Sequence, residues 1–395
     1  MATLPLRGIK VVDLTQMLAG PYATQLLADM GADVIKVEPP GGDQFRTRPP
    51  DSKGTGSLWL ATNRNKRSIV VNLKDSQGQA VVRKLASDAD VFIQNLKPGD
   101  AEKFGLGYEQ LAELNPRLVY CTVTGYGTTG PLAGRPAFEF ALQAFSGLMS
   151  VTGEPDGPPL RVGASVTDIT TAMYAAMAIS FALIGRSQTG KGQHVDVSLY
   201  ESVMSLLNLQ VAAHVTTGEI PHRWGSGHPA DVPYQVFRAK DGDFVVAAGG
   251  GTQFRKLCRV MGLEHLPNDP RYAELSGRVQ NREALVAELS AVFATRTTAE
   301  WLAALEAEGV ICSMINTVPE ALQHPQSAAL ELIGEVPHPA GGTFRMLRAP
   351  MRFDGQKPDR AEAPPAIGQH TDEVLRAAGY GPTDVAKLRE AGAIQ

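Results

Sequence analysis

Cysteine is scarce in this chain of 395 residues: three in all, at positions 121, 258 and 312, with no CxxC pair. An odd number at wide spacing excludes a disulfide framework and a zinc ribbon. Neither sign of charge is in excess. The net charge of −4 gives a nucleic-acid role no overall electrostatic support. The N-terminal MATLPLRGIKVVDL lacks the long apolar segment and small-residue cleavage site of a secretory signal. The uncharged stretch Ile169 to Gly185, as long as any in the chain, falls about one residue short of the roughly 18 that would suggest a membrane span. Rich in Ala, Thr and Ser, it is expected to form a buried core helix, with no membrane partner and a cytoplasmic location. No GxGxxG follows the first strand-like run, so no nicotinamide or flavin site is expected. His222 and His228 have no acidic or Cys partner at ligand spacing, and no metal is expected.

What the chain does have is alternation. Ile9 to Leu14 is a short apolar run, Pro21 to Met30 has helical spacing, and Ala32 to Glu38 is again strand-like. Two strands with a helix between them make a βαβ unit of a parallel sheet. The pattern repeats through RSIVVNL, QAVVRKLASDA, DVFIQNL, YEQLAELNP and RLVYCTVTGYG, which argues for a Rossmann-like, doubly wound α/β domain. Residues 218–235 gather Gly, Pro and polar side chains, the mark of a boundary or a functional loop. Beyond them VPYQVFRAKDGDFVVAAG reads as a hairpin turning at Lys240-Asp241-Gly242. Helices such as AEWLAALEAEG follow. The tail has further strand signals and a short final helix, TDEVLRAAGY. The expected division is a large α/β domain over 1–220, a smaller α+β domain over 221–324, and a segment 325–395 returning to the first.

Three groups of residues could carry chemistry. Asp168, ahead of the long apolar helix, has two compatible readings. An Asp there can serve as a helix N-cap, and the helix dipole also favours the ionised carboxylate that a nucleophile requires. The cations Lys66, Arg67, Lys74, Lys97, Lys103 and Arg135 are either solvated surface charge or a receptor for the phosphates of a ligand at the strand ends. Gly225-Ser226-Gly227-His228-Pro229 is either a plain interdomain loop or a segment that closes on a ligand. Cys121 has no partner that would make it a nucleophile and is expected to be buried and inert.

Together these motifs resemble the class III (CaiB/BaiF-type) CoA-transferase family, which includes formyl-CoA and carnitine CoA-transferases. The likeness is carried by GIKVVDLTQMLAGPYATQLLADMGADVIKVEPPGGD, NRNKRSIVVNLK, FIQNLKPG and KFGLGYEQLAELNPRLVYCTVTGYG. It continues through GRPAFEFALQAFSGL, SVTDITTAMYA, RSQTGKGQHVDVSLYESV and GHPADVPYQVF, so it covers almost the whole chain. The resemblance implies transfer of CoA from an acyl-CoA to a free carboxylic acid, with Asp168 as the covalent carrier. It implies CoA contacts at Leu18 and Ala19, at Asn72, Leu73 and Lys74, and at Asn95, Leu96 and Lys97. Further contacts fall on Lys103, Arg135, Ala137 and Phe138, and Gly225, Gly227 and His228 become the substrate-side lid. It also implies an interlocked, ring-like homodimer, with the large domain formed by both chain ends.

Two departures matter. An Arg that grips CoA in formyl-CoA transferases is replaced by Pro39, and their glycine-rich loop is absent. Formate and oxalate are therefore not favoured, and the GHPADVPYQVF segment points to small dicarboxylates with succinyl-CoA as donor. The same fold family includes α-methylacyl-CoA racemases, which need a His where this chain has Phe138 before Glu139. Phenylalanine cannot move a proton. A racemase, or a CoA-binding protein without catalysis, are the alternatives.

Overall fold

The computed structural model describes residues 4–395. Six strands make one parallel sheet: β1 (Lys10–Asp13), β2 (Asp33–Glu38), β3 (Lys66–Val70), β4 (Val91–Gln94), β5 (Val119–Thr124) and β6 (His194–Ser198). Their order is β3-β2-β1-β4-β5-β6, every neighbouring pair is parallel, and the order reverses between β1 and β4. This is the doubly wound arrangement that repeated βαβ units produce. A parallel sheet covered on both faces needs strands apolar on both sides, and VFIQ and VYCTVT supply them.

Alternate residues feed two cores. Val11, Val34, Val91, Ile93 and Val119 face α1 (Ala19–Asp29) and the long helix α2 (Val166–Thr189). Val12, Val37, Ile69, Phe92 and Tyr120 face the other way, where Val374, Leu375, Val385, Leu388 and Ile394 from the chain's end complete the layer. Each such side chain contributes about 1.5–3 kcal/mol on burial, so the C-terminal segment is bound to this sheet by its own apolar face. It holds two helices more than its sequence led us to expect, Pro325–Ala329 and Pro382–Glu390. Pro382–Glu390 follows Thr371–Ala377, with Pro at its start and the Asp384 carboxylate accepting the Gly381 N–H.

Helix α2 corrects a second expectation. Thr171, Ala172, Ala175, Ile179 and Ala182 are buried, but Met173, Met177, Phe181 and Ile184 are 50%, 46%, 62% and 59% exposed. It is a half-buried helix rather than one enclosed on all sides. By length and composition alone it could also cross a bilayer. Its Ala-rich face against α1 and Arg186, paired with Asp90 at 2.8 Å, make it a packed element of this sheet.

The chain separates into two compact units. One comprises Met1–Leu148, Val162–Ala212 and Pro325–Gln395, the other Met149–Arg161 and Ala213–His324. The second unit has an antiparallel sheet of Tyr234–Arg238, Asp243–Ala247 and Ile311–Met314. Its helices close over a core of Phe237, Phe244, Phe254, Phe293 and Trp301. The Asp241 carboxylate, in the hairpin turn, accepts from the Thr298 N–H and hydroxyl and so braces the helix Thr298–Ala307.

Candidate active site

Because all six strands run the same way, the loops that leave their carboxyl ends share one edge of the sheet. Residues 15–18 follow β1, Asn72 to Lys74 follow β3, Asn95 to Lys97 and then Lys103 follow β4, and Arg135 to Phe138 lie beyond β5. The reversal of order between β1 and β4 opens a crevice between the first and third of these, where α/β sheets take ligands. Helix α2 leads directly into β6, so its first turn lies toward that same edge. Asp168 is the third residue of that turn. The cap position belongs to Ser165, whose side chain makes no capping bond. The expectation of Asp168 as the N-cap is thereby corrected: it stands inside the helix. The hydroxyl of the neighbouring Thr167 is buried and has no partner among the described residues.

The residues singled out from the sequence divide into three groups. Lys74, Lys97, Lys103 and Arg135 are exposed, and none of them enters an ion pair among the described residues. Arg135 reaches only the ring of Tyr126, at 5.8 Å, and Lys103 only that of Phe104, at 6.0 Å. Four uncommitted cations at one edge can meet a polyanion. Asn72 accepts the Lys74 N–H at 3.1 Å and donates to Gly392. Leu73 and Leu96 rest against the sheet core, as Ala137 does on the opposite face. Leu18 precedes the start of α1, Ala19 is its first residue, and Phe138 is 70% exposed.

Lys66 and Arg67 do not belong with the cations open to ligand. Both begin β3, at the amino end. Arg67 pairs with Asp33 and Glu373. Lys66 is fully buried and donates to Pro21 O (2.8 Å), Asn63 Oδ1 (2.9 Å) and Asp13 Oδ2 (3.3 Å). Burial pulls its pKa down to about 7, against the attraction of Asp13. For Asp13 burial alone would favour the neutral acid, but the charges of Lys36 and Lys66 together with the hydrogen bonds from Thr15 and Thr24 hold the carboxyl below its ordinary value.

The glycine loop belongs to the second unit. It is fastened there: Gly225 donates to Gly153 O, Gly227 to Trp224 O and the His228 N–H to Tyr234 O. Arg282 donates to His228 O and Pro229 O and covers the Trp224 ring at 4.4 Å. Gly225 has φ +61°, and a Cβ there would meet the Glu154 carboxylate at 2.6 Å. Cys121 is fully buried and burial pushes its thiol well above the ordinary range. Among the described residues no group of three His, Cys, Asp or Glu could hold a metal ion.

One cluster escaped the sequence reading: Asp13, Lys36 and Asp43 beneath the first loop. Its signal is in the strand ADVIKVE. A strand buried on both faces has no solvated side for a lysine, so Lys36 had to be paired inside.

Known proteins resemble the chain in sequence and in overall fold. Residues 6–371 match the family model described as CoA-transferase family III. The chain is 42% identical to a mouse (Mus musculus) succinyl-CoA:glutarate CoA-transferase, over 94% of this chain and 86% of the mouse one. It is 40% identical to a succinate–glutarate CoA-transferase of Agrobacterium fabrum, over 94% and 95% of the two chains. A crystal structure of a CaiB/BaiF family protein from Brucella suis superposes with a TM-score of 0.83 at 40% identity, covering 95% of this chain and 99% of that one.

Proposed function

The chain belongs to CoA-transferase family III, and we propose that it moves CoA from succinyl-CoA to a small dicarboxylic acid through a covalent intermediate on Asp168. One observation carries the reading: Asp168 stands in the first turn of α2, and because that helix leads into β6 its first turn is expected toward the carboxyl edge of the sheet. The glutarate acceptor named for two relatives suggests an acid of that size.

In the proposed reaction an Asp168 oxygen attacks the thioester carbonyl. The C–S bond breaks, leaving an aspartyl–acyl anhydride and a bound CoA thiolate. The thiolate attacks the aspartyl carbonyl, so that Asp168 becomes a CoA thioester and the donor leaves as its carboxylate. The acceptor carboxylate attacks that thioester, giving a second anhydride and freeing the thiolate again. Attack of the thiolate on the acceptor's acyl carbon then releases the new acyl-CoA and restores the Asp168 carboxylate. One thioester replaces another, no proton is consumed and no further reactant is required. Water must be excluded, since it would hydrolyse the anhydride. The uncommitted Lys74, Lys97, Lys103 and Arg135 are proposed to hold the phosphates of CoA, which Lys meets as point charge and Arg as a fork. With Phe138 at the position where a racemase needs His, the transferase reading needs only the single carboxylate.

Hydroxylamine tests this directly. Enzyme incubated with succinyl-CoA and no acceptor is expected to lose activity completely on adding hydroxylamine, and peptide mass spectrometry should find the hydroxamate at Asp168. Retained activity, or a modification elsewhere, overturns the covalent route. A panel of free dicarboxylic acids with succinyl-CoA, read by mass spectrometry, identifies the acceptor.

A homodimer is proposed as well. The row Met173, Met177, Phe181 and Ile184 is an apolar stripe of a kind that monomers rarely leave to water, and a second copy would cover it. Sedimentation velocity should find a dimer, and Phe181→Asp with Ile184→Asp should yield monomer. A wild-type monomer at micromolar concentration contradicts the assignment.

A further inference from the structure

The loop between β1 and α1 is held at successive backbone groups by side chains from three different strands or their ends. The Asp13 carboxylate accepts the Thr15 N–H at 2.8 Å and the Thr15 hydroxyl. The Lys36 ammonium donates to the Thr15 carbonyl. Asn95, at the end of β4, takes both polar groups of the next residue: its Oδ1 accepts the Gln16 N–H at 2.9 Å, and its Nδ2 donates to the Gln16 carbonyl at 2.9 Å. Met17 then adopts φ +71°, a conformation that costs a non-glycine residue and persists only where its surroundings impose it. The loop also lies so close to α1 that a Cβ at Gly20 would meet the Thr15 Cβ at 2.3 Å.

Lys36 and Asp13 are both fully buried. Asp13 is held in turn by Thr24 (2.6 Å) and Lys66, and Lys36 faces Asp43 at 3.5 Å. Buried ion pairs of this kind add little stability over apolar residues of the same shape, because desolvation offsets their attraction. Their effect here is geometric. They fix one shape for a loop that stands at the reversal of strand order, the crevice in which such sheets bind ligands. Gln16, Met17 and Leu18 at its tip are partly exposed, and the first N–H groups of α1 just beyond it have no partner within the helix.

We infer that Lys36, with Asp13 and Asn95, acts as a positioning residue: it sets the 15–18 loop in the shape that receives CoA. The inference rests on the CoA-transferase reading above. Lys36 touches no substrate and acts through the Thr15 carbonyl alone.

The test is Lys36→Met, which removes the ammonium and keeps the chain length. Isothermal titration with CoA should show Kd raised by at least ~10-fold, and steady-state kinetics should show KM for succinyl-CoA raised by a similar factor. The melting temperature should fall, since Asp43 and Asp13 lose a buried cation, so Kd and KM are read well below the transition. A merely structural lysine would also lower the melting temperature but leave KM unchanged. If Lys36→Met does not fold, Gly20→Ala carries the test, because its methyl displaces Thr15 while Lys36 and Asp13 keep their side chains; the same rise in Kd is expected. Wild-type Kd and KM in a folded variant overturn the inference while leaving the CoA-transferase reading intact. A wild-type protein that binds no CoA overturns that reading, and this inference with it.

Discussion

Asp168→Ala and Asp168→Asn are each expected to lower transfer by about 10⁴-fold or more, with CoA binding within a few-fold of wild type. The proposed reaction makes and breaks bonds to this carboxylate in every half-step, so no partial function survives its loss. An Asn amide is not a nucleophile at neutral pH, and loss of an essential nucleophile costs factors of this size or greater. Cys121 cannot substitute, since it is fully buried within β5 and its thiolate is disfavoured by burial. The fold should persist. A carboxylate in the first helical turn contributes about 0.3–1 kcal/mol through the helix dipole, small beside the packing of α2 on the sheet. The measurement is single-turnover transfer beside CoA titration on the same preparation. Near-normal turnover in a folded variant would falsify the covalent mechanism.

Arg278→Met is expected to destabilise the second unit by roughly 3–5 kcal/mol, on the scale of several buried carbonyls left without a donor. The Arg278 guanidinium is 1% exposed and donates to the carbonyls of Val232, Tyr272, Ala273 and Gly249, while its face lies 4.5 Å from the Phe254 ring centroid. Methionine fills much of the volume but offers no donor, so four carbonyls lose their partner in a site closed to water. Each unsatisfied group costs about 1–3 kcal/mol, partly recovered by local adjustment. Urea unfolding separates the units, because Trp224 and Trp301 belong to the second and Trp59 to the first. The fluorescence transition of the second unit should move to lower urea. A shift worth less than about 1 kcal/mol would show that the carbonyls find other donors.

Local patterns were readable where one periodicity prevailed. The first βαβ unit, the hairpin at Lys240-Asp241-Gly242 and the helix within AEWLAALEAEG all stand where their spacing put them. The helix Pro382–Glu390 was missed although Gly-Pro-Thr-Asp is a start signal, because its apolar face is only Val385 and Leu388. Residues 149–161 were read with the large domain, yet they cluster with the second unit. Arg223 binds their carbonyls at Glu154, Pro155 and Gly157, a pairing across some 66 to 69 residues that no local window contains.

The sequence by itself determined the alternation of strands and helices, the family and the candidate carboxylate, because periodicity and motif order are properties of neighbouring residues. Only the tertiary structure decided which charges face inward. Lys66 read as a cation open to ligand until β3 came to lie beside β2, two places from Asp13, and Lys36 passed unremarked in its strand. Parallel pairing joins residues tens of positions apart, and the energy of a buried charge depends on the partners that such pairing brings to it.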